Sequence, residues 1–167
     1  RVLQCASKEA RYDERLTAQL AAESLPIVLR WVEVYRSDIE KPFETEKPLT
    51  YRDAAFPGLT MFGKIDLIDR EDGGVTRVSD WKTGGVKTEK DIEKRDEEGR
   101  MSGLLRQLAM YSFLLEGTGK SAHESRLVFL EATKGDKHSV HTRHITSGEI
   151  ALLRQDITDY MTMIENG

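Results

Sequence analysis

The chain has 167 residues, with 38% hydrophobic and 32% charged, which suits one soluble globular domain with its own core and not a disordered segment. A net charge of −4 does not mark a nucleic-acid binder, so any such binding would need a local basic surface or a partner domain that holds the substrate. No apolar run is long enough to cross a membrane, and a single cysteine, Cys5, excludes an internal disulfide and a cysteine-based zinc or iron–sulfur site.

The first residues, RVLQCASKEARYDERL, are polar and helix-like, with no signal-peptide character and no initiator Met. The expectation is a piece of a longer protein in a reducing, cytoplasmic setting. Residues 7–22 read as a helix. Residues 25–38 read as a second, with Ser24 as cap, Pro26 in the first turn and an apolar stripe of Ile27, Val28, Trp31, Val32 and Tyr35. Then the period changes: 43–51, 59–69 and 74–83 alternate as strands, with Asp72-Gly73-Gly74 as a hairpin turn between the last two. Residues 86–100 hold five basic and six acidic side chains and read as a solvated loop or exposed helix. An amphipathic helix follows over 102–116, with Leu104, Leu108, Tyr111 and Leu115 in register. SRLVFLEAT (125–133) reads as a buried central strand, and 137–145 as a further strand. Thr146 and Glu149 form a capping box for a last helix carrying Ile150, Leu153, Ile157, Tyr160 and Ile164. The expected class is α/β, a mixed central sheet flanked by helices. Residues 1–40 form a helical part and 41–167 the core of a single domain.

The stretch VSDWKTGG (78–85) aims Asp80 and Lys82 along the strand face that Val78 begins. A hairpin centred on Gly73 pairs residues whose numbers sum to 146, which sets Asp66 opposite Asp80; a two-residue turn shifts the pairing by one and still leaves them neighbours. Opposed residues on one face lie about 4.5–5.5 Å apart at Cβ, so two like charges there repel and a cation must offset them. Lys82 is one candidate; a divalent metal, which takes carboxylate oxygens, is the stronger. A surface ion network without function is the competing reading. His123, His138, His141 and His144 are not placed by spacing near the aspartates and read as surface or strand residues.

Three motifs in order, GKIDLID (63–69), SDWKTG (79–84) and RQLAMYSFLL (106–115), resemble the RecB-like nucleases of the PD-(D/E)XK superfamily. The shared positions are Gly63 and Asp66, Asp80 with Lys82 and Thr83, and Gln107 with Tyr111, and the likeness covers about residues 43–145. It implies a restriction-endonuclease-like three-layer core. It also implies Mg²⁺ or Mn²⁺ held by Asp66, Asp80 and the Trp81 carbonyl, and a Lys82 that positions or helps deprotonate the attacking water. Gln107 and Tyr111, one helical turn apart, would line the site and touch the cut strand; Glu46 would supply a further acidic contact. The implied activity is metal-dependent DNA hydrolysis in recombination or repair. The implied partners are DNA and a helicase domain or subunit, and the implied location is the cytoplasm, at the nucleoid. Two departures accompany the likeness: no His precedes His123, where the family carries one, and Cys5 alone cannot hold the iron–sulfur cluster of some branches. The alternative is a catalytically silent copy that binds DNA or acts as a scaffold; RNA is an alternative substrate.

Overall fold

The computed structural model describes residues 13–38, 43–70, 76–132 and 138–166. The chain divides into two compact units, Arg1–Ile39 and Glu40–Gly167.

In the first unit, helix α1 (Glu14–Tyr35) runs into a short 3₁₀ turn, Arg36–Asp38. The expected break at Ser24 is absent. Proline's φ suits a helix, and its ring forfeits one hydrogen bond, to the carbonyl four residues back. The preceding AQLAAE is rich in good helix formers, so the helix continues through Pro26. The true cap is Asp13, whose carboxylate accepts the Arg15 N–H at 2.9 Å. Trp31 and Tyr35 stack with ring centroids 5.7 Å apart. The N-terminal part of the first expected helix lies outside the described residues, as does Cys5.

The second unit is α/β: a mixed five-stranded sheet with helices. Its strands are β1 (Phe43–Tyr51), β2 (Met61–Arg70), β3 (Thr76–Lys82), β4 (Glu124–Ala132) and β5 (His138–Arg143), in the spatial order of the chain. All neighbours are antiparallel except β3 and β4, which are parallel. A parallel pair needs a crossover. Here it carries the short helix α2 (Glu89–Ile92) and the long helix α3 (Gly103–Glu116). Helix α4 (Ser147–Asn166) closes the chain behind the expected Thr146–Glu149 capping box.

Across β2 and β3, Leu67 faces Ser79, Ile68 faces Val78 and Asp69 faces Arg77, every pair summing to 146 as the hairpin reading requires. The turn itself lies outside the described residues. Asp69 and Arg77 form a bidentate, buried ion pair, Nε to Oδ1 at 3.0 Å and Nη2 to Oδ2 at 2.5 Å, which pins this register.

Helix α3 is buried on more of its circumference than its stripe suggested. Leu105, Leu108, Ala109, Tyr111, Phe113, Leu114 and Leu115 are all in the core, whereas Leu104 is only partly covered. Its close approach to the sheet explains Gly63, where a Cβ would sit 2.5 Å from Leu114 Cδ1. In α4, Leu153 is buried, but Tyr160 and Ile164 are exposed, so the expected apolar stripe ends midway.

The charged stretch 86–100 is not simply solvated. Thr88 and Asp91 cap α2, and the one isoleucine, Ile92, is fully buried with Met101. Ser102 Oγ donates to the Ile92 carbonyl at 2.6 Å. Glu93 takes Arg143 and His141, and the buried Glu149 takes Arg95 at 3.1 Å and Arg143 at 2.7 Å. A charge-dense segment thus finds opposite charges on β5 and α4, which composition alone does not reveal.

Candidate active site

The β2–β3 ladder stops at Leu67 and Ser79. One rung further, Asp66 stands opposite Asp80, and there the backbone pairing gives way. The Trp81 N–H turns to the Asp66 side chain, donating to Oδ2 at 2.8 Å. On its other side β3 stays paired with β4 through Lys82. The two strands therefore part where the two carboxylates sit, while β4 keeps β3 in place.

Val78, Asp80 and Lys82 all point to the α3 side, Val78 into the core and the two charges toward Gln107 and Tyr111. Four side chains close a ring. Tyr111 Oη donates to Asp80 Oδ1 at 3.1 Å, and Gln107 Nε2 donates to Tyr111 Oη at 3.0 Å. Lys82 Nζ donates to Gln107 Oε1 at 2.5 Å and lies 2.6 Å from Asp80 Oδ2. Each buried leucine or phenylalanine of α3 contributes about 1.5–3 kcal/mol, against about 0.5–1.5 for an ordinary hydrogen bond. The packing of α3 thus sets where Gln107 and Tyr111 are, and the ring reads out that placement.

The ring is held under electrostatic tension. Asp80 is 3% exposed. Burial pushes its pKa up and Asp66 pushes the same way, while Lys82 and Tyr111 pull it down, with burial prevailing. Burial, and then the charge of Asp80, raise the Tyr111 phenol, so it stays a neutral donor. Asp80 Oδ2 is enclosed, and the Lys82 ammonium 2.6 Å away supplies the positive charge beside it.

Among the described residues, no group of three or more His, Cys, Asp and Glu side chains converges as a metal cage. Two carboxylates nonetheless fit one kind of ion. Mg²⁺ keeps several waters and is commonly held by one or two carboxylates plus substrate phosphate. Glu46 does not add a third group: its carboxylate pairs with Lys64, and both side chains are exposed. The histidines are elsewhere. His123 Nδ1 accepts the Thr76 N–H at 3.2 Å, His141 meets Glu93 at 3.0 Å and His144 Nδ1 lies 3.1 Å from the His123 carbonyl. The side chain of His138 lies outside the described residues. Sequence reasoning missed the bond from Asp80 to Tyr111, for which spacing between distant segments gives no signal. It also missed a groove beside Gln107 lined by Lys87, Asp91, Ser102, Gly103 and Leu104. No helix among the described residues is long and apolar enough to cross a membrane.

A family model described as the PD-(D/E)XK nuclease superfamily matches residues 2–167. Among curated proteins nothing matches. Among solved structures, a Eubacterium rectale protein provisionally described as an exonuclease aligns with a TM-score of 0.53 at 16% identity, over 95% of this chain and 58% of its own. The protein SSO0001 aligns with a TM-score of 0.47 at 21% identity, over 96% of this chain and 71% of its own. The chain thus spans between about half and three quarters of these two proteins.

Proposed function

The chain belongs to the PD-(D/E)XK nuclease superfamily, and on that premise we propose that it is a RecB-like, metal-dependent DNA nuclease domain of a recombination or repair protein that also carries a helicase. The observation that supports this most is that Asp66 and Asp80 come together where β2 and β3 part, with Asp80 enclosed and the Lys82 ammonium 2.6 Å from it. Asp66, Asp80 and the Trp81 carbonyl are the groups that would hold Mg²⁺ or Mn²⁺. A phosphodiester repels hydroxide, and a cation held there would supply the charge that neutralises the phosphate and makes water a better nucleophile. Everything else falls to the chain's own side chains. Lys82 holds its ammonium where negative charge develops and orients the attacking water. Gln107 fixes that ammonium, and Tyr111, a neutral donor, fixes the Asp80 carboxylate. The groove beside Gln107 offers a path for the cut strand. A DNA substrate would set such a domain to work at the nucleoid.

The silent-copy reading draws on the lack of a third acidic, histidine or cysteine side chain at the site among the described residues. Two measurements separate them. Mn²⁺ titrated into the labelled protein should broaden resonances of Asp66, Asp80, Trp81 and Lys82, and Asp80→Asn should abolish that effect. Lys82→Ala should lower the cleavage rate about 10²–10³-fold, the cost of removing one preorganised electrostatic group, with the fold retained. Unchanged cleavage in Lys82→Ala would sink the mechanism. Metal binding without cleavage of DNA by the wild type would favour the silent copy.

A further inference from the structure

Glu46 has a φ of 52°, in the left-handed region that a side chain with a Cβ disfavours; among the described residues no other non-glycine residue has a positive φ. It lies in mid-strand on β1. Partners across β1 and β2 sum to 112 on both sides of it, Thr45 with Leu67 and Lys47 with Ile65, so the residue opposite Glu46 is Asp66. That one rung is not paired.

The alternation of side chains slips at this rung. On β2, Gly63 and Ile65 face α3, since a Cβ on Gly63 would strike Leu114 and Ile65 lies in the core. Strict alternation would send Asp66 and Ile68 to the far face. Instead Ile68 joins the same core, beside Val78, and the equally buried Leu67 does not. On β1, Lys47 and Glu44 form an ion pair although three residues apart, a spacing that points side chains to opposite faces of a regular strand. The sum of 112 survives on both sides, so neither strand carries the extra residue of a β-bulge. The slip is a reversal of facing within one rung, and its left-handed member is Glu46.

We propose that the left-handed backbone of Glu46 is what turns Asp66 onto the face of Asp80, so that Glu46 is a positioning residue acting through its backbone and not its carboxylate. The carboxylate is occupied with Lys64, in solvent. Without the slip, the regular pleat that seats Gly63 and Ile65 against α3 would hold Asp66 on the wrong side of the sheet. This inference rests on the reading of Asp66 and Asp80 as a joint metal site.

The test compares Glu46→Gly and Glu46→Asn, which suit a left-handed backbone, with Glu46→Gln, which removes only the charge, and Glu46→Val, whose branched Cβ disfavours it. Two readouts are taken on the intact chain. One is the Trp81 amide resonance, which reports the bond to Asp66 without needing metal or activity, with Asp66→Ala marking its loss. The other is Mn²⁺ affinity. Gly, Asn and Gln variants should keep the Trp81 resonance and bind Mn²⁺ within about twofold of wild type. The Val variant should move the resonance toward that of Asp66→Ala and weaken Mn²⁺ at least about tenfold. Should the Val variant not fold, Glu46→Thr, whose Cβ is also branched, against Glu46→Ser makes the same comparison with a smaller, polar side chain. Loss of Mn²⁺ in the Gln variant would assign the effect to the carboxylate and overturn the proposal. A Trp81 resonance unchanged in both Val and Thr variants would overturn it too. Wild-type protein that binds no Mn²⁺ would refute the metal site, while the Trp81 resonance would still decide the role of Glu46.

Discussion

Asp80 carries opposing demands. It is enclosed, it faces Asp66, and it is reached by one ammonium and one phenol. Burial wins, so its carboxyl ionises at higher pH in the native state than in the unfolded chain. The native state then binds the proton more tightly, and stability from this group falls as pH rises through that interval. Below the ordinary aspartate range both states are protonated and nothing is lost. Above the raised native pKa the full penalty applies. Asparagine resembles the protonated acid and never ionises. In metal-free buffer with a chelator, Asp80→Asn should therefore match wild type in urea unfolding at low pH and exceed it increasingly toward neutral pH. Mg²⁺ should reverse the order at neutral pH by binding only the wild-type native state. A stability difference that is flat with pH would show that Lys82 and Tyr111 already compensate the charge in full.

The connector between β3 and α3 shows what an element owes to partners distant in sequence. Residues 86–100 are so charged that composition predicts a solvated segment, yet Ile92 is fully buried and Glu93 and Arg95 find β5 and α4. Ile92→Ala should destabilise the protein by about 2–5 kcal/mol, as a buried Leu or Ile truncation does, and speed tryptic cleavage within 86–100. A solvated segment would give a change within about 0.5 kcal/mol. The same contrast separates what was legible in the sequence from what was not. Local chemistry was legible: the sum of 146 that sets Asp66 opposite Asp80, the alternation that carries Asp80 and Lys82 to one face, the helical turn joining Gln107 and Tyr111, and the Thr146 box. Those depend on residues within one hairpin, strand or helical turn. The continuous α1 through Pro26, the anchoring of Ile92 and the reversed facing at Glu46 were not. Each is decided by packing or a backbone torsion that no periodicity encodes, and the regular pleat assumed for β1 and β2 hides the last.

At the scale of the molecule, the question is what grips a polyanion. The net charge is −4, and the cations that the described residues offer are largely committed to carboxylates. Lys47 pairs with Glu44, Lys64 with Glu46, Arg95 and Arg143 with Glu149, Arg100 with Asp96, Arg106 with Asp156 and Arg154 with Asp53. A protein that neutralises many phosphates loses affinity steeply with salt, with a slope close to the number of phosphates contacted. A small set of uncommitted cations among the described residues means few contacts from them, so DNA binding should be weak and only shallowly salt-dependent, with a slope of about −1 to −3 in log affinity against log salt. Binding measured between about 50 and 200 mM salt, in Ca²⁺ to hold the site without turnover, checks this. A shallow slope together with metal-dependent binding would mean that the site and a neighbouring domain, and not the surface of this one, bring the substrate to Asp80. A slope near −6 or steeper would mean that a broad cationic surface lets the chain recruit DNA by itself.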